Sequence, residues 1–391
     1  MSSNRKKSSY TTRNKLKLIK GGSNYFDCLE TIADNAQYSL HLQTYIFDED
    51  ETGTRIADAL MRAAKRKVYV YVLLDGYASG SLSSSFIARL KAAGVHFNFF
   101  EPFLKGGNFY IGRRLHHKVM VADASVCVVA GININNRYND INGNMAWLDW
   151  AMYVEGEVAA QLNDVCIKVW DRSVFRKKCL ATEKLFLREL PNENCPVRIL
   201  RNDWVYRKTE ITRRYNEMFP QANSDIIIMT SYFWPPQKLL AHMARATARG
   251  INVKLVLTAQ SDVAIAKYAE RYLYAWLFRN NVEVYEYQAA TLHGKIAVSD
   301  SKCLTIGSYN VNNISAFASV ELNFDIKDTA IAGEVTEKLQ NIIRNNCKRI
   351  GKQGFEGENN MFKKFIFFLS YKLVHFVFYL FTFYFVQKRE E

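Results

Sequence analysis

Two nine-residue stretches carry the same polar residues at the same spacing. Leu115-His116-His117-Lys118-Val119-Met120-Val121-Ala122-Asp123 reads His-x-Lys-x-x-x-x-Asp, and so does Leu292-His293-Gly294-Lys295-Ile296-Ala297-Val298-Ser299-Asp300. Each continues to a small-residue turn ending in asparagine, Ala130-Gly131-Ile132-Asn133 and Gly307-Ser308-Tyr309-Asn310. The asparagine follows its histidine by 17 positions in both copies. A neutral imidazole attacks or shuttles a proton near pH 7. An ammonium beside it is a point charge suited to a phosphate oxygen, and the asparagine amide adds a neutral donor. Two such sets facing each other suit a phosphodiester: one imidazole attacks phosphorus and the other protonates the leaving oxygen. A lone His-x-Lys on a strand is more often a solvated edge. The repetition with equal internal spacing is what argues for a site.

The flanking residues are those of strands. Val119, Val121, Val126, Val128 and Val129 bracket Asp123, and Ile296, Ala297, Val298, Leu304 and Ile306 bracket Asp300. Each copy reads as a strand, a turn at the aspartate and a second strand. Alternation puts His116 and Lys118 on one face. For Asp123 and Asp300, positioning at the turn is favoured over acid–base work.

The repeat extends beyond the motifs. Helices over 25–36, 56–64 and 86–92 alternate with strands over 40–47, 68–74 and 95–100. After Arg198 the order returns, with a helix ending at Gln221, strands over 226–233, 253–257 and 282–287, and a helix over 239–247. This predicts an α/β fold of two tandem domains, each a mixed sheet flanked by helices, related by a pseudo-two-fold axis with one site between them. The motifs lie 177 residues apart, about one ordinary domain. The expected divisions are a basic arm over 1–20, domains over 21–197 and 198–345, and a linker with a C-terminal helix over 346–391. Tyr45, Phe47, Tyr232 and Phe233 fall at strand ends and read as core aromatics rather than cleft lining.

The chain has 391 residues, nearly half of them apolar, and a net charge of +14. That excludes a disordered protein and favours an anionic partner. Seven scattered cysteines form no Cys-x-x-Cys pair and read as reduced. Metal-ligand spacing is absent. Residues 1–20 carry Arg5, Lys6, Lys7, Arg13, Lys15, Lys17 and Lys20 without an acid. They read as a flexible arm, each charge contributing about 1 kcal/mol near an anionic lipid surface.

The motif pair and its two Asn-ending turns resemble the phospholipase D superfamily, and within it the bacterial cardiolipin synthases. The resemblance covers residues 18–345. The first copy departs in having Ala130-Gly131 where Gly-Gly or Gly-Ser is usual. After the second, Ile314 and Ser319 stand where the family often has arginine and asparagine. The resemblance implies carboxylates that pair with the catalytic histidines. Glu321 follows His293 by 28 residues in an otherwise apolar run, and Asp149 follows His116 by 33 between aromatics. It further implies that His116 attacks phosphorus, that His293 is the acid and base, and that Lys118, Lys295, Asn133 and Asn310 hold the phosphate oxygens. The motif residues Asp123 and Asp300 complete the catalytic set.

The expected activity is a phosphatidyl transfer that makes cardiolipin from phosphatidylglycerol and a second phospholipid, with no metal or other cofactor. A hydrolase using water, and more remotely a nuclease, share the motifs. A catalytically silent membrane scaffold is disfavoured by two complete motifs. Phe365–Val386 is apolar and aromatic, with Lys364, Tyr371, Lys372, His375, Tyr379 and Thr382 spaced as one helical stripe. That favours a helix lying in the membrane interface, or a hairpin-like insertion, over a simple span or a helix docked on the protein or a second subunit, with Lys363, Lys364, Lys388 and Arg389 at headgroups. The expected partners are phospholipids and an anionic membrane surface, with nucleic acid not expected. The expected location is the cytoplasmic face of a bacterial inner membrane.

Overall fold

The computed structural model describes residues 9–387 except 102–103, 106–107, 110–112, 142, 174–178, 180–188 and 318. Arg5, Lys6, Lys7, Lys388 and Arg389 therefore lie outside the described residues.

The first half runs β1 (Thr11–Lys20), α1 (Ser23–Asn35), β2 (Ser39–Thr44), α2 (Glu51–Lys65), β3 (Tyr69–Asp75), α3 (Ser84–Ala92) and β4 (His96–Phe100). The first motif hairpin follows as β5 (Lys118–Ala122) and β6 (Val126–Ala130), then β7 (Trp150–Gly156) and α4 (Glu157–Ser173). The second half repeats this order. It runs β8 (Asn194–Asp203), α5 (Glu210–Gln221), β9 (Asp225–Thr230), α6 (Gln237–Ala248), β10 (Asn252–Thr258), α7 (Ala264–Tyr272), α8 (Tyr274–Arg279) and β11 (Glu283–Tyr287). Its motif hairpin is β12 (Lys295–Ser299) and β13 (Cys303–Gly307), followed by α9 (Asn313–Phe317), β14 (Ser319–Lys327) and α10 (Thr329–Asn346). The chain ends with β15 (Cys347–Ile350), α11 (Lys352–Glu358) and α12 (Met361–Gln387).

In space the first half orders β4-β3-β2-β5-β6-β7-β1, with β2, β3 and β4 parallel and the rest antiparallel. The second orders β11-β10-β9-β12-β13-β14-β8 in the same way, and β15 adds outside β11. β1 and β8 meet antiparallel at Thr11↔Val197 and Arg13↔Asn194, so one mixed sheet crosses the molecule. Parallel strands need helical crossovers and become covered on both faces. Accordingly every residue of β2 is buried, as are all of β3 after Tyr69. One core cluster lies under α1, α2 and α3, and another under α5 to α8. A third joins α4 and α10 to strands of both halves, including Val121, Val129, Ile296 and Ile306. This shared core welds the halves together.

The arm expected over residues 1–20 is, from Thr11, a central strand. Leu16 and Leu18 pack against the shared core, while Lys15, Lys17 and Lys20 face out. Three lysines and Arg13 in ten residues mask the period-two alternation in the sequence. Buried Asn14 donates to Cys195 O (2.9 Å) and accepts from Val158 N (2.9 Å), tying β1 to both halves.

The C-terminal helix is present but turns its stripe differently. Phe367, Ser370 and Tyr371 face the body, and Tyr371 stacks on Tyr272 of α7 with ring centroids 4.6 Å apart. Its exposed face mixes Phe362, Phe365, Leu373 and Phe376 with Lys363, Lys364 and Lys372. Among the described residues no helix is long and apolar enough to cross a membrane.

The motif aspartates build the turns. Asp123–Ala124 and Asp300–Ser301 all adopt positive φ, between 51° and 54°. Asp123 carboxylate oxygens accept from the backbone of Gln37, Tyr38 and Ser39 at 2.7–3.0 Å, pinning the start of β2 to the hairpin. Asp300 does the same for Asn223, Ser224 and Asp225. Burial alone would raise the Asp300 carboxyl, but those backbone amides outweigh it and lower its pKa. Asp123→Ala should therefore cost about 3 kcal/mol, from charge-assisted bonds lost at a buried turn. Urea unfolding of the purified variant measures this. A cost below about 0.5 kcal/mol would remove the turn role.

Candidate active site

Each motif histidine stands just before its strand, and the opposite half holds its backbone. Arg114–Leu115 runs parallel to Ser319–Val320, and His116 N donates to Val320 O at 3.0 Å. In the other direction His293 N donates to Leu148 O (2.8 Å), and Leu148 N donates to Thr291 O (2.9 Å). Val320 and Leu148 directly precede Glu321 and Asp149. The backbone bridges thus deliver each imidazole to an acid of the other half.

His116 Nδ1 lies 2.8 Å from Glu321 Oε2, and His293 Nδ1 lies 2.7 Å from Asp149 Oδ2. Counting within each copy would pair His116 with Asp149 and His293 with Glu321; the fold exchanges them. Each acid is seated by the turn of its own half. Ser308 Oγ donates to Glu321 Oε2. At the corresponding Gly131 a Cβ would stand 2.4 Å from Asp149 Oδ1 and 2.6 Å from Oδ2, so no side chain fits. That contact accounts for a glycine where the second copy has serine.

The ammonium groups are buried with the imidazoles. Lys118 Nζ donates to His116 O at 3.0 Å and lies 5.2 Å from the Tyr45 ring centroid. Lys295 Nζ donates to His293 O, and stands 3.4 Å from Asp149 Oδ2 and 2.8 Å from His293 Nδ1. Both lysines are about 1% exposed. Burial, then the charge of Lys295, pulls Lys118 down to about 7. Burial also lowers Lys295, against the pull of Asp149. His293 falls to about 4 through burial and the Lys295 charge, with Asp149 opposing. His116 is lowered by burial, with Glu321 opposing and Lys118 adding to the fall. The imidazoles are therefore neutral at pH 7.

The asparagines orient the walls. Asn133 Oδ1 accepts from Ile46 N (3.3 Å), and its amide nitrogen donates to Tyr138 Oη (3.0 Å). Asn310 Oδ1 accepts from Ser231 Oγ at 2.8 Å. Tyr138 Oη lies 3.2 Å from His293 Nε2, whereas His116 Nε2 meets no partner among the described residues. The two motifs are thus inequivalent. Tyr138 escapes a repeat comparison because Ser315 stands five residues after Asn310 as Tyr138 does after Asn133. Asp75 was also missed. Its Oδ2 accepts from Leu115 N at 2.8 Å and its Oδ1 from Tyr77 and Ala78. The available signal was a lone acid closing an apolar strand. Asp123 and Asp300 are not brought to the imidazoles. Phe47 and Phe233 are core residues, but Tyr45 packs edge-on against His116 at 4.9 Å. Tyr232 donates to Asp262, whose charge acts on Lys295. The strand-end aromatics therefore divide between core and cleft.

A pH profile follows from this electrostatics. On a soluble phosphodiester, kcat/KM reports the free protein's groups. It should fall above about pH 7 as Lys118 loses its proton. Its acid limb should lie below 6.5, where the depressed imidazoles gain one. A profile flat to pH 9 would show that Lys118 keeps its charge.

A family described as "Cardiolipin synthase, PLD-like domain" matches residues 29–170 and 215–343. Cardiolipin synthase B of Salmonella typhimurium (strain LT2) is 34% identical over 340 residues, covering 86% of this chain and 82% of that protein. Cardiolipin synthase B of Escherichia coli (strain K12) is 31% identical over 347 residues, covering 88% and 84%. Among solved structures, phosphatidylserine synthase of Haemophilus influenzae Rd KW20 superposes with a TM-score of 0.74 at 16% identity, over 96% of each chain, and so shares the fold. Tandem domains of matching topology, two complete motifs and this extent of similarity make the chain a member of the cardiolipin synthase, PLD-like domain family of the phospholipase D superfamily.

Proposed function

We propose that the chain is a phosphatidyl transferase that makes cardiolipin from phosphatidylglycerol and a second phospholipid through a phosphatidyl-histidine intermediate. The observation that carries the mechanism is the inequivalence of the imidazoles. Each has its Nδ1 held by a carboxylate, so Nε2 presents the lone pair. Only His116 Nε2 is open; His293 Nε2 is met by Tyr138. In this reading His116 Nε2 attacks phosphorus and the P–O bond to the headgroup alcohol breaks. His293, which takes a proton from solvent at Nε2 as the bound anion raises its depressed pKa, passes that proton to the departing oxygen. His293 then takes the proton of the incoming hydroxyl, whose oxygen attacks phosphorus and releases His116. Lys118 and Lys295, with Asn133 and Asn310, hold the non-bridging oxygens as charge shifts onto them. The phosphodiester anion adds negative charge, which raises the depressed imidazole and lysine pKa values on binding.

Relatives of similar length named cardiolipin synthase support this product over hydrolysis. The division between domains falls at 197/198 in this reading, with β1 joined to the first domain. Membrane contact rests on α7 and α12. Val263, Ile265 and Tyr268 of the α7 segment and Phe362, Phe365, Leu373 and Phe376 of α12 are all exposed. Together they form an apolar ridge larger than solitary surface residues require. Lys363, Lys364 and Lys372 are exposed on the same helix, suiting anionic headgroups. α7 starts beside Asp262, at the second motif, so the ridge would bring the cleft to the lipid at the cytoplasmic face of a bacterial inner membrane.

Two measurements test this. Purified protein in mixed micelles with labelled phosphatidylglycerol, with and without phosphatidylethanolamine, should yield cardiolipin plus free glycerol or ethanolamine. Acid-quenched samples should carry label on His116, and His116→Ala should lose at least about 10³-fold in rate. Phosphatidic acid as the only product would make it a hydrolase, and label on His293 would exchange the two roles. Separately, Phe362→Glu with Phe365→Glu should reduce flotation with phosphatidylglycerol vesicles at least about tenfold. Undiminished flotation would remove the ridge from membrane contact.

A further inference from the structure

Alternation along the motif strand turns His117 away from His116 and Lys118, onto the face of Val119 and Val121. There it forms the floor of a cavity of about 130 Å³ at the junction of the halves, closed on one side by Val320 of β14. Five cations line the cavity: Arg113, Lys168, Arg172, Arg201 and Lys208. Asp203 pairs with Arg113 at 2.5 Å and Glu210 reaches Lys208 at 3.6 Å. Lys168, Arg172 and Arg201 meet no carboxylate within ion-pair distance among the described residues.

The floor is unsatisfied as well. His117 is fully buried, and its Nδ1 lies 3.1 Å from Gln43 Oε1. The Gln43 amide nitrogen is committed to Cys166 O (2.9 Å), which leaves its oxygen to accept from Nδ1–H. Nε2 is therefore a bare acceptor, and it has no hydrogen-bond partner. A buried polar atom left so costs free energy unless something occupies the space. The cavity exceeds several times the roughly 30 Å³ share of one water, so it admits a tetrahedral oxyanion.

We propose that this cavity is a second phosphate site, separate from the catalytic cleft, for a phosphomonoester or inorganic phosphate. A P–OH of the monoanion donates to His117 Nε2, and the remaining oxygens accept from Arg201, Arg172 and Lys168. A phosphodiester lacks that P–OH, which sets this site apart from the substrate cleft. The ligand spans α4 of the first half and β8 of the second. It sits one residue from His116, beneath the strand bridge through which Val320 holds that histidine. Burial and the charges of Arg201, Lys118, Arg113 and His116 push His117 down to about 3, in keeping with an acceptor awaiting a donor. The inference stands independently of which lipid the cleft transfers.

The test is calorimetric titration of the full chain in micelles with inorganic phosphate. Wild type should bind two equivalents, one in the cleft and one here. Arg201→Met with Lys168→Met should abolish the second or weaken it at least tenfold. Arg201→Lys with Lys168→Arg should restore it, which separates a lost site from a lost fold. In unmutated protein the ¹⁵N resonance of His117 Nε2, assigned with His117→Asn, should move on adding phosphate. A second arm floats the protein with phosphatidylcholine vesicles containing or lacking phosphatidic acid. Loss of the phosphatidic acid effect in the Met variant identifies a lipid headgroup as the source, and loss of the phosphate equivalent alone identifies free phosphate. Identical isotherms in wild type and the Met variant, or an unmoved His117 resonance, overturn the proposal.

Discussion

Each imidazole is held by a carboxylate of the opposite half. The bonds from His116 to Glu321 and from His293 to Asp149 depend on two reciprocal backbone bridges, through Val320 and Leu148. Removing one member of such a buried pair leaves the other without compensation, at a cost of roughly 3–5 kcal/mol. The junction must therefore be as rigid as a core. The seam between β1 and β8, the Asn14 bridge and the apolar cluster shared by α4 and α10 make it so. Neither half alone holds an imidazole with its partner, so folding of the whole chain assembles the site.

The same burial sets the electrostatics. Two ammonium groups and two imidazoles share a space with two carboxylates, and burial disfavours the charged form of each amine and imidazole. The charge of Lys295 depresses Lys118 and His293, and that of Lys118 depresses His116. Such a cluster is arranged for an anion it does not itself contain. Donors fixed in advance of the reaction need no reorganisation when charge moves onto phosphate oxygens. The aspartates of the motifs belong to a different task. They tie each hairpin to the strand beside it and so hold the lysines in register.

Symmetry of sequence gives way to asymmetry of environment. Gly131 and Ser308 occupy corresponding turns, yet one makes room for a carboxylate and the other bonds to it. Tyr138 meets His293, while Ser315 at the corresponding position bonds the backbone of Asn310. Among the described residues α12 packs on α7 and α9 of the second half, and it places exposed apolar residues on that side of the cleft. These differences allow two copies of one motif to take unlike roles.

Much of this was legible along the chain. Spacing disclosed the two motifs, and apolar periodicity disclosed the alternating helices and strands, because both are local properties of residues near in sequence. The paired acids were also visible, as lone carboxylates in apolar surroundings. β1 was not, since its lysines hide an alternation that only its neighbours β7 and β8 make meaningful. Tyr138 and Asp75 carried no repeat signal. The sequence by itself determined which side chains could do the chemistry and the elements that carry them. Tertiary structure alone decided that Glu321 serves His116 and Asp149 serves His293, that Asp123 and Asp300 hold turns, and that only one Nε2 is open. The reason is physical: those choices depend on which faces of the two halves pack together, and packing joins residues that no local spacing relates.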